Sequence, residues 1–227
     1  WGNGYTLWTS PDESLPLEAR LIFDTGQRKE GFLSLYLYHE GQMIYHFNFR
    51  FDYNVDGTPS VYIGTIQGSK HGLETTKVLT KKLFGYRPKN FILYLMRIFV
   101  QTLGIHDIYV ITDEGFYTNS HMLRGNRSKK TNFNEFWIGE GAAPDGKEPW
   151  YYHLPIEERR RKYGEIKSQK RNLFRKRYLL MDTIIPPYIA AIKALFRQGF
   201  DPVPSAIDEA SITDKPADYD PIEAPAK

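Results

Sequence analysis

The sequence predicts an α+β protein, α/β in the connectivity of its centre, with a mixed but largely antiparallel sheet flanked by helices. Two observations carry that reading. Residues Leu33 to Phe51 alternate with period two on both sides of a short Gly-bearing turn, His39-Glu40-Gly41-Gln42, which is a hairpin signal. Residues Val61 to Asp113 then read as a strand (Val61 to Ile66), a polar loop with two glycines (Gln67 to Gly72), helical sequence and a second strand (Ile108 to Thr112).

Taken in order, residues 1–30 mix Gly, Pro, Asp and Ser with isolated aromatics and read as an irregular segment. In the hairpin, Leu33, Leu35 and Leu37 share one face and Ser34, Tyr36 and Tyr38 the other. Met43, Tyr45, Phe47, Phe49 and Phe51 likewise oppose Ile44, His46, Asn48 and Arg50. Asn54-Val55-Asp56-Gly57 makes the next turn, so Val61 to Ile66 adds a third antiparallel strand. A short helix is expected from Leu73 to Phe84, stopped by Gly85. A longer one runs from Pro88 to Leu103, with Phe91, Ile92, Leu95 and Phe99 at helical spacing, Pro88 in its first turn and Gly104 as its stop.

After the strand ending at Thr112, Gly115 to Lys130 reads as a polar surface loop. Asn132 to Ile138 reads as a short helix and Trp150 to Leu154 as a last strand. Ile166 to Asp182 and Pro187 to Gln198 read as two further helices. Five prolines and many small or acidic residues beyond Asp201 predict an acidic, disordered tail over 201–227, leaving 31–200 as one domain. There is no internal repeat.

With 227 residues and no cysteine, the chain can bury one sizeable core and excludes disulfides, thiolate zinc and a cysteine nucleophile. No metal-ligand spacing is present among the six histidines, so no metal is expected. The net charge of +3 is unevenly spread. Ten Lys or Arg stand against three Glu between Glu157 and Arg177, whereas Asp201 to Lys227 holds seven acidic residues and two Lys. The longest apolar run, Phe91 to Val100, falls short of the ~20 residues that span a bilayer, so the chain reads as soluble.

Three stretches are candidates for chemistry. In the loop Gln67-Gly68-Ser69-Lys70-His71-Gly72 the glycines admit a phosphate to backbone N–H groups, although the loop has neither Walker nor G-x-G-x-x-G spacing; an ordinary turn is the bland alternative. In the helix from Ile166, the spacing puts Lys170 and Arg177 on the face of Ile166, Leu173 and Leu180, where a cation needs an acidic partner or a bound anion. With Arg171 and the upstream Arg159 to Lys162 they form a basic patch, which a solvated surface explains equally well. The third stretch, Phe133-Asn134-Glu135-Phe136-Trp137, sets one carboxylate among aromatics that core packing also explains. His71 in the loop, Asp113 at a strand's carboxyl end and Glu135 are the candidate bases.

Several segments together resemble the VirK/YbjX family of Gram-negative bacterial proteins. They are Tyr62-Ile63-Gly64-Thr65-Ile66-Gln67-Gly68, Gly85-Tyr86-Arg87-Pro88-Lys89, Phe133-Asn134-Glu135-Phe136-Trp137, Leu154-Pro155, and Ile166-Lys167-Ser168-Gln169-Lys170-Arg171 with Arg175, Arg177 and Tyr178. The resemblance implies association with envelope function, virulence and antimicrobial-peptide resistance. The strand–loop–helix–strand unit separately resembles, in architecture, the core of GCN5-related acyltransferases.

Those resemblances yield two expectations. The first is an acyltransferase-like enzyme using acyl-CoA or acyl carrier protein on an envelope-related amine or hydroxyl. There Gln67, Gly68, Ser69, Arg87, Lys89, Lys170, Arg171 and Arg177 would hold the donor, and Asp113, Glu135 or His71 would be the base. The second is a non-catalytic module, cytoplasmic and peripheral to the inner membrane, whose basic 157–177 segment holds an anionic ligand, membrane surface or partner. Nucleic acid ranks last, because no recognition motif accompanies the basic run.

Overall fold

The computed structural model describes residues 4–24, 29–70, 72–116 and 132–197. Seven strands form one sheet in sequence order: β1 (Tyr5–Thr9), β2 (Leu17–Phe23), β3 (Leu33–His39), β4 (Gln42–Tyr53), β5 (Pro59–Gly68), β6 (Asp107–Ile111) and β7 (Tyr151–Leu154). Every neighbouring pair is antiparallel except β5 and β6, which run parallel. Parallel neighbours need a crossover, and α1 (Leu73–Lys82) with α2 (Pro88–Thr102) supplies it. The remaining helices are α3 (Phe133–Gly139) and α4 (Arg171–Arg197). The architecture is therefore the expected α+β, mixed and mostly antiparallel; nothing in it singles out a GCN5-related core.

The hairpin forms as its alternation requires. Glu40 (φ 51) and Gly41 (φ 72) both take left-handed backbone in its turn, a conformation that suits a two-residue hairpin. Tyr36 pairs with His46 and Leu35 with Phe47. Leu35, Leu37, Phe47, Phe49, Val61, Ile63, Ile108 and Val110 make the helix-side face of the sheet and are fully buried or nearly so. Against it lies α2, in which every residue from Phe91 to Val100 is buried, Arg97 included.

The opposite face is polar. Asn48 donates to Ser34 Oγ at 2.5 Å, the His46 ring stacks on Tyr36 at 4.8 Å, and Tyr36 donates to Asp24 at 2.8 Å. Glu30 and Gly31 press onto it. A Cβ on Gly64, where β5 bulges against β4, would sit 2.1 Å from the Glu30 carbonyl oxygen. Glycine is required there because another backbone passes too close for any side chain.

Three expectations change. Residues 1–30 contain two strands, β1 and β2, in place of irregular chain. Both lie at the sheet margin; β1 is short and uncharged, and in β2 the alternation of Leu17, Ala19 and Leu21 with Glu18 and Arg20 spans only a few residues among the turn-forming Gly, Pro, Asp and Ser around it. The two C-terminal helices are one, with Pro186 and Pro187 inside α4. Both prolines are exposed, so the carbonyls they leave without an N–H partner face water. Met181, Ile184, Tyr188 and Ile192 on the inner side pack toward β1 and α2. Joined in this way, Ser168–Leu195 is, among the described residues, long and apolar enough to cross a membrane by length and composition, with 22% of its most apolar window buried. Finally, Lys170 lies in a 3-10 turn before α4 and is exposed, so it does not share the face of Arg177. The expected tail falls outside the described residues, as does most of the loop from Gly115.

Candidate functional site: an arginine- and glutamate-lined cleft

The turn between α1 and α2 sets the site. Phe84 (φ 53) and Gly85 (φ 74) are both left-handed there, which turns the Phe84 carbonyl toward α4. Arg177 takes that carbonyl with Nε at 3.2 Å and Nη2 at 2.9 Å, and its guanidinium lies over the rings of Phe174 (4.2 Å) and Tyr86 (5.4 Å). Its charge is thus held by a carbonyl and two π-faces, with the Glu158 carboxylate contributing at longer range and, among the described residues, no ion pair.

Beside Arg177 opens a cleft of about 850 Å³ between the start of α2, the end of α3, residues 155–165 and the start of α4. Five arginines line it (Arg87, Arg97, Arg159, Arg161 and Arg177), together with Glu140, Glu157, Glu158 and Glu165. Its floor is a hydrogen-bonded network. Arg97, 3% exposed, donates to the carbonyls of Pro155 and Glu140 at 3.1 Å each and approaches the Glu140 carboxylate at 3.6 Å. Asn90 donates to the same carboxylate. Burial pushes the Glu140 carboxyl up, against the opposing pull of Arg97 and Asn90.

Glu158 has a second arrangement open to it. Its Oε1 meets the Tyr86 hydroxyl, while Oε2 is buried without a hydrogen-bond partner among the described residues. Burial raises the Glu158 carboxyl and, more strongly, the Tyr86 phenol. When Glu158 is ionised, Tyr86 donates to it. When Glu158 is protonated, its O–H donates to Tyr86 Oη, whose own proton goes to the Asn90 carbonyl at 3.1 Å. Either state is fully hydrogen-bonded at Tyr86, so the pair can take up or release a proton without moving backbone.

The residues singled out by sequence do not converge. Arg87 and Arg177 line the cleft. Lys89 stands beside it, its ammonium 3.6 Å from the Phe136 ring centroid and its pKa pushed down to about 8 by burial. Gln67 pairs with His46 at the end of β5, Gly68 packs on the Tyr45 ring and Ser69 donates its backbone N–H to the Ile44 carbonyl. That loop is therefore the end of a strand pair and not part of the cleft. His71 lies outside the described residues. The Asp113 carboxylate accepts from the backbone N–H groups of Phe133 (2.8 Å) and Asn134 (3.4 Å), and so caps α3. Glu135 is exposed in that helix's first turn. Arg171 donates to the Ile166 carbonyl at 3.2 Å and Lys170 points to solvent. Glu140, Glu158, Tyr86 and Asn90 were missed. Only Arg97, a charge inside an otherwise apolar helix, advertised in the sequence that a buried acidic partner was needed.

A seven-stranded α+β protein with a cleft lined by arginines and glutamates is the class that fold and site define. The family model described as a protein of unknown function (DUF535) matches residues 1–187, and the chain belongs to that family. The uncharacterized protein YbjX of Escherichia coli is 29% identical over 133 residues, 57% of this chain and 40% of that protein. An uncharacterized protein of Haemophilus influenzae is 28% identical over 186 residues, 78% of this chain and 60% of that protein. The chain thus spans 40% and 60% of the length of these relatives. Among solved structures, a mutant AtaT toxin bound to the C-terminus of the antitoxin AtaR aligns with 62% of this chain and 92% of its own at 13% identity and a TM-score of 0.31, too low to carry any argument. The VirK/YbjX resemblance holds at family level.

Proposed function

We propose that the cleft binds an organic molecule bearing a phosphate or comparable anionic group, and that Glu158 exchanges a proton with it. The observation that carries this reading is one hollow lined by arginines, of which Arg87, Arg159, Arg161 and Arg177 are in no ion pair among the described residues, together with a carboxyl that burial drives toward its protonated form. Arg177 is already oriented by the Phe84 carbonyl, so an anion gains its charge without ordering a free side chain. Arg87, Arg159 and Arg161 have exposed side chains at the wall and mouth and match phosphate oxygens in geometry.

Acyl transfer from acyl-CoA or an acyl carrier protein to an envelope-related amine or hydroxyl is one reaction of this kind. The acceptor's proton passes to Glu158, its nitrogen or oxygen bonds to the thioester carbonyl carbon, and the C–S bond breaks to release a thiolate that water protonates. Envelope function, virulence and antimicrobial-peptide resistance, which the VirK/YbjX resemblance implies, suit such an acceptor. The alternative is a binding module with the same anion site and no turnover.

Thermal unfolding of the full chain with inorganic phosphate, coenzyme A or acetyl-CoA tests the reading. Ligand that binds the folded state alone raises Tm in proportion to ln(1 + [L]/Kd). At least one phosphate-bearing probe is expected to do so, and Arg177→Met to abolish the shift. Glu158→Gln separates the two versions: a module keeps its full function with Gln, whereas an acyl-transferring enzyme binds donor and loses turnover. A well-folded protein that none of the probes stabilises rules the cleft out as a phosphate site.

A further inference from the structure

We infer that the outer side of α4 and the basic residues before it form a docking face for an anionic lipid bilayer. The charge comes first. Arg159, Arg161, Lys162, Lys167, Lys170 and Lys176 are all exposed, and none is in an ion pair among the described residues. In the same stretch Glu157 and Glu165 are exposed too. Asp182, the one acid in the first half of α4, is paired with Arg160 at 2.6 Å while its side chain stays 53% exposed, so among the described residues the six cations outnumber the unpaired acids three to one. Such a cluster attracts an anionic surface by about 1 kcal/mol per cation near the lipid plane, or roughly fivefold in partitioning.

Charge alone fits nucleic acid as well as lipid; the apolar part decides. Beyond Lys176 the solvent-facing line of α4 runs Leu179, Thr183, Pro187, Ala190, with Pro186 beside it, and its one charge before Lys193 is Asp182, which Arg160 pairs. Leu179 is 64% exposed and Leu173, one turn inside the basic part, 38%. Ile138 on the cleft wall is 58% exposed. A helix with cations along its first turns and a largely apolar outer line after them gains from lying at a headgroup boundary, whereas a phosphodiester backbone gives nothing back for Leu179 or Pro187. The same helix has the length and composition of a membrane-associating segment, while its inner side is committed to β1 and α2 and keeps it in the fold. Lying on the surface, in place of crossing it, is the arrangement both facts allow.

Cosedimentation of the intact chain with vesicles of phosphatidylcholine, alone or mixed with phosphatidylglycerol, tests the inference. Binding is expected to the mixed vesicles only and to weaken as salt rises. Lys176→Glu is expected to lower partitioning by more than fivefold, since it removes a cation and adds an anion. Leu179→Asp is expected to lower it further at a salt concentration where electrostatics is already screened. Both positions are exposed, and circular dichroism of each variant checks that the fold survives. Equal binding to both vesicle types, or no binding by the intact folded chain, overturns the proposal. So does tight binding of a DNA duplex that Leu179→Asp leaves unchanged, which would identify a nucleic-acid face. Arg177→Met keeps the outcome separate from that of the cleft, because it removes the inner anion site and leaves the docking residues in place.

Discussion

Replacing Glu30 by Gln gives the sharpest test of the polar side of the sheet. Glu30 is 5% exposed, its Oε1 has no hydrogen-bond partner among the described residues, and its carbonyl rests against Gly64. Burial lifts its carboxyl from 4.5 to about 7, opposed only weakly by its own backbone N–H and by Lys29. The folded state therefore holds this proton more tightly than the unfolded chain does. The associated stability is present in full below pH 4.5, falls as pH rises through the interval up to about 7, and is gone above it. A shift of that size corresponds to about 3 kcal/mol at about 1.4 kcal/mol per unit. Glutamine keeps the shape and never ionises. Urea denaturation of both proteins near pH 5 and near pH 8 should give a difference in unfolding free energy that moves in favour of Glu30→Gln by about 3 kcal/mol between the two. Comparing the proteins at each pH cancels other titrating groups, among them the buried His46, whose lowered pKa costs stability on the acid side. A difference that stays constant with pH would refute the claim that this carboxyl is charged against an unfavourable environment.

Three further outcomes are expected. Arg97→Met should destabilise the protein by about 3–5 kcal/mol in chemical denaturation, because the Glu140 carboxylate loses its cation and two carbonyls lose their donor inside the fold. Gly64→Ala should cost several kcal/mol, or prevent folding, since its Cβ would meet the Glu30 carbonyl oxygen at 2.1 Å; expression with circular dichroism reads this directly. Asp113→Ala should lower stability by about 1 kcal/mol, because the Phe133 and Asn134 N–H groups lose their acceptor while the Asn132 N-cap stays, and should leave binding of any cleft ligand unchanged, as calorimetric titration would show.

Period-two spacing located β3 and β4 because each alternates clearly, while β5 and α2, buried on both faces or all round, were legible as apolar runs bounded by Gly and Pro. The signal failed where burial was partial. β1 and β2 at the sheet margin are short and set among turn-forming residues, and α4 hides its continuity behind two prolines on its wet side. The cleft was less legible for a different reason. Its buried carboxyls, Glu140 and Glu158, lie in loop or turn sequence that looks solvated, and they approach Tyr86, Asn90 and Arg97 only through tertiary packing across 43 to 72 residues. Asp113 shows the converse error. A carboxylate at the end of a β-strand suggested a ligand, yet the first turn of α3 lies close enough to consume it as a cap.

The basic run between Glu157 and Arg177 is one feature in the sequence and two in space, and adjacent residues separate them. Successive positions on a helix point about 100° apart, so Lys176 and Arg177 cannot share an environment. Arg177 turns inward, held by the Phe84 carbonyl and the Phe174 and Tyr86 rings, while Lys176 stays in water with no partner among the described residues. A single function for the whole run would make the two charges interchangeable. The geometry instead requires a crossed result: Arg177→Met removes the response to phosphate-bearing ligands and spares vesicle binding, and Lys176→Glu does the reverse. If the two substitutions weaken both activities to the same degree, the division of this segment into an inner anion site and an outer docking face is wrong, whatever either site binds.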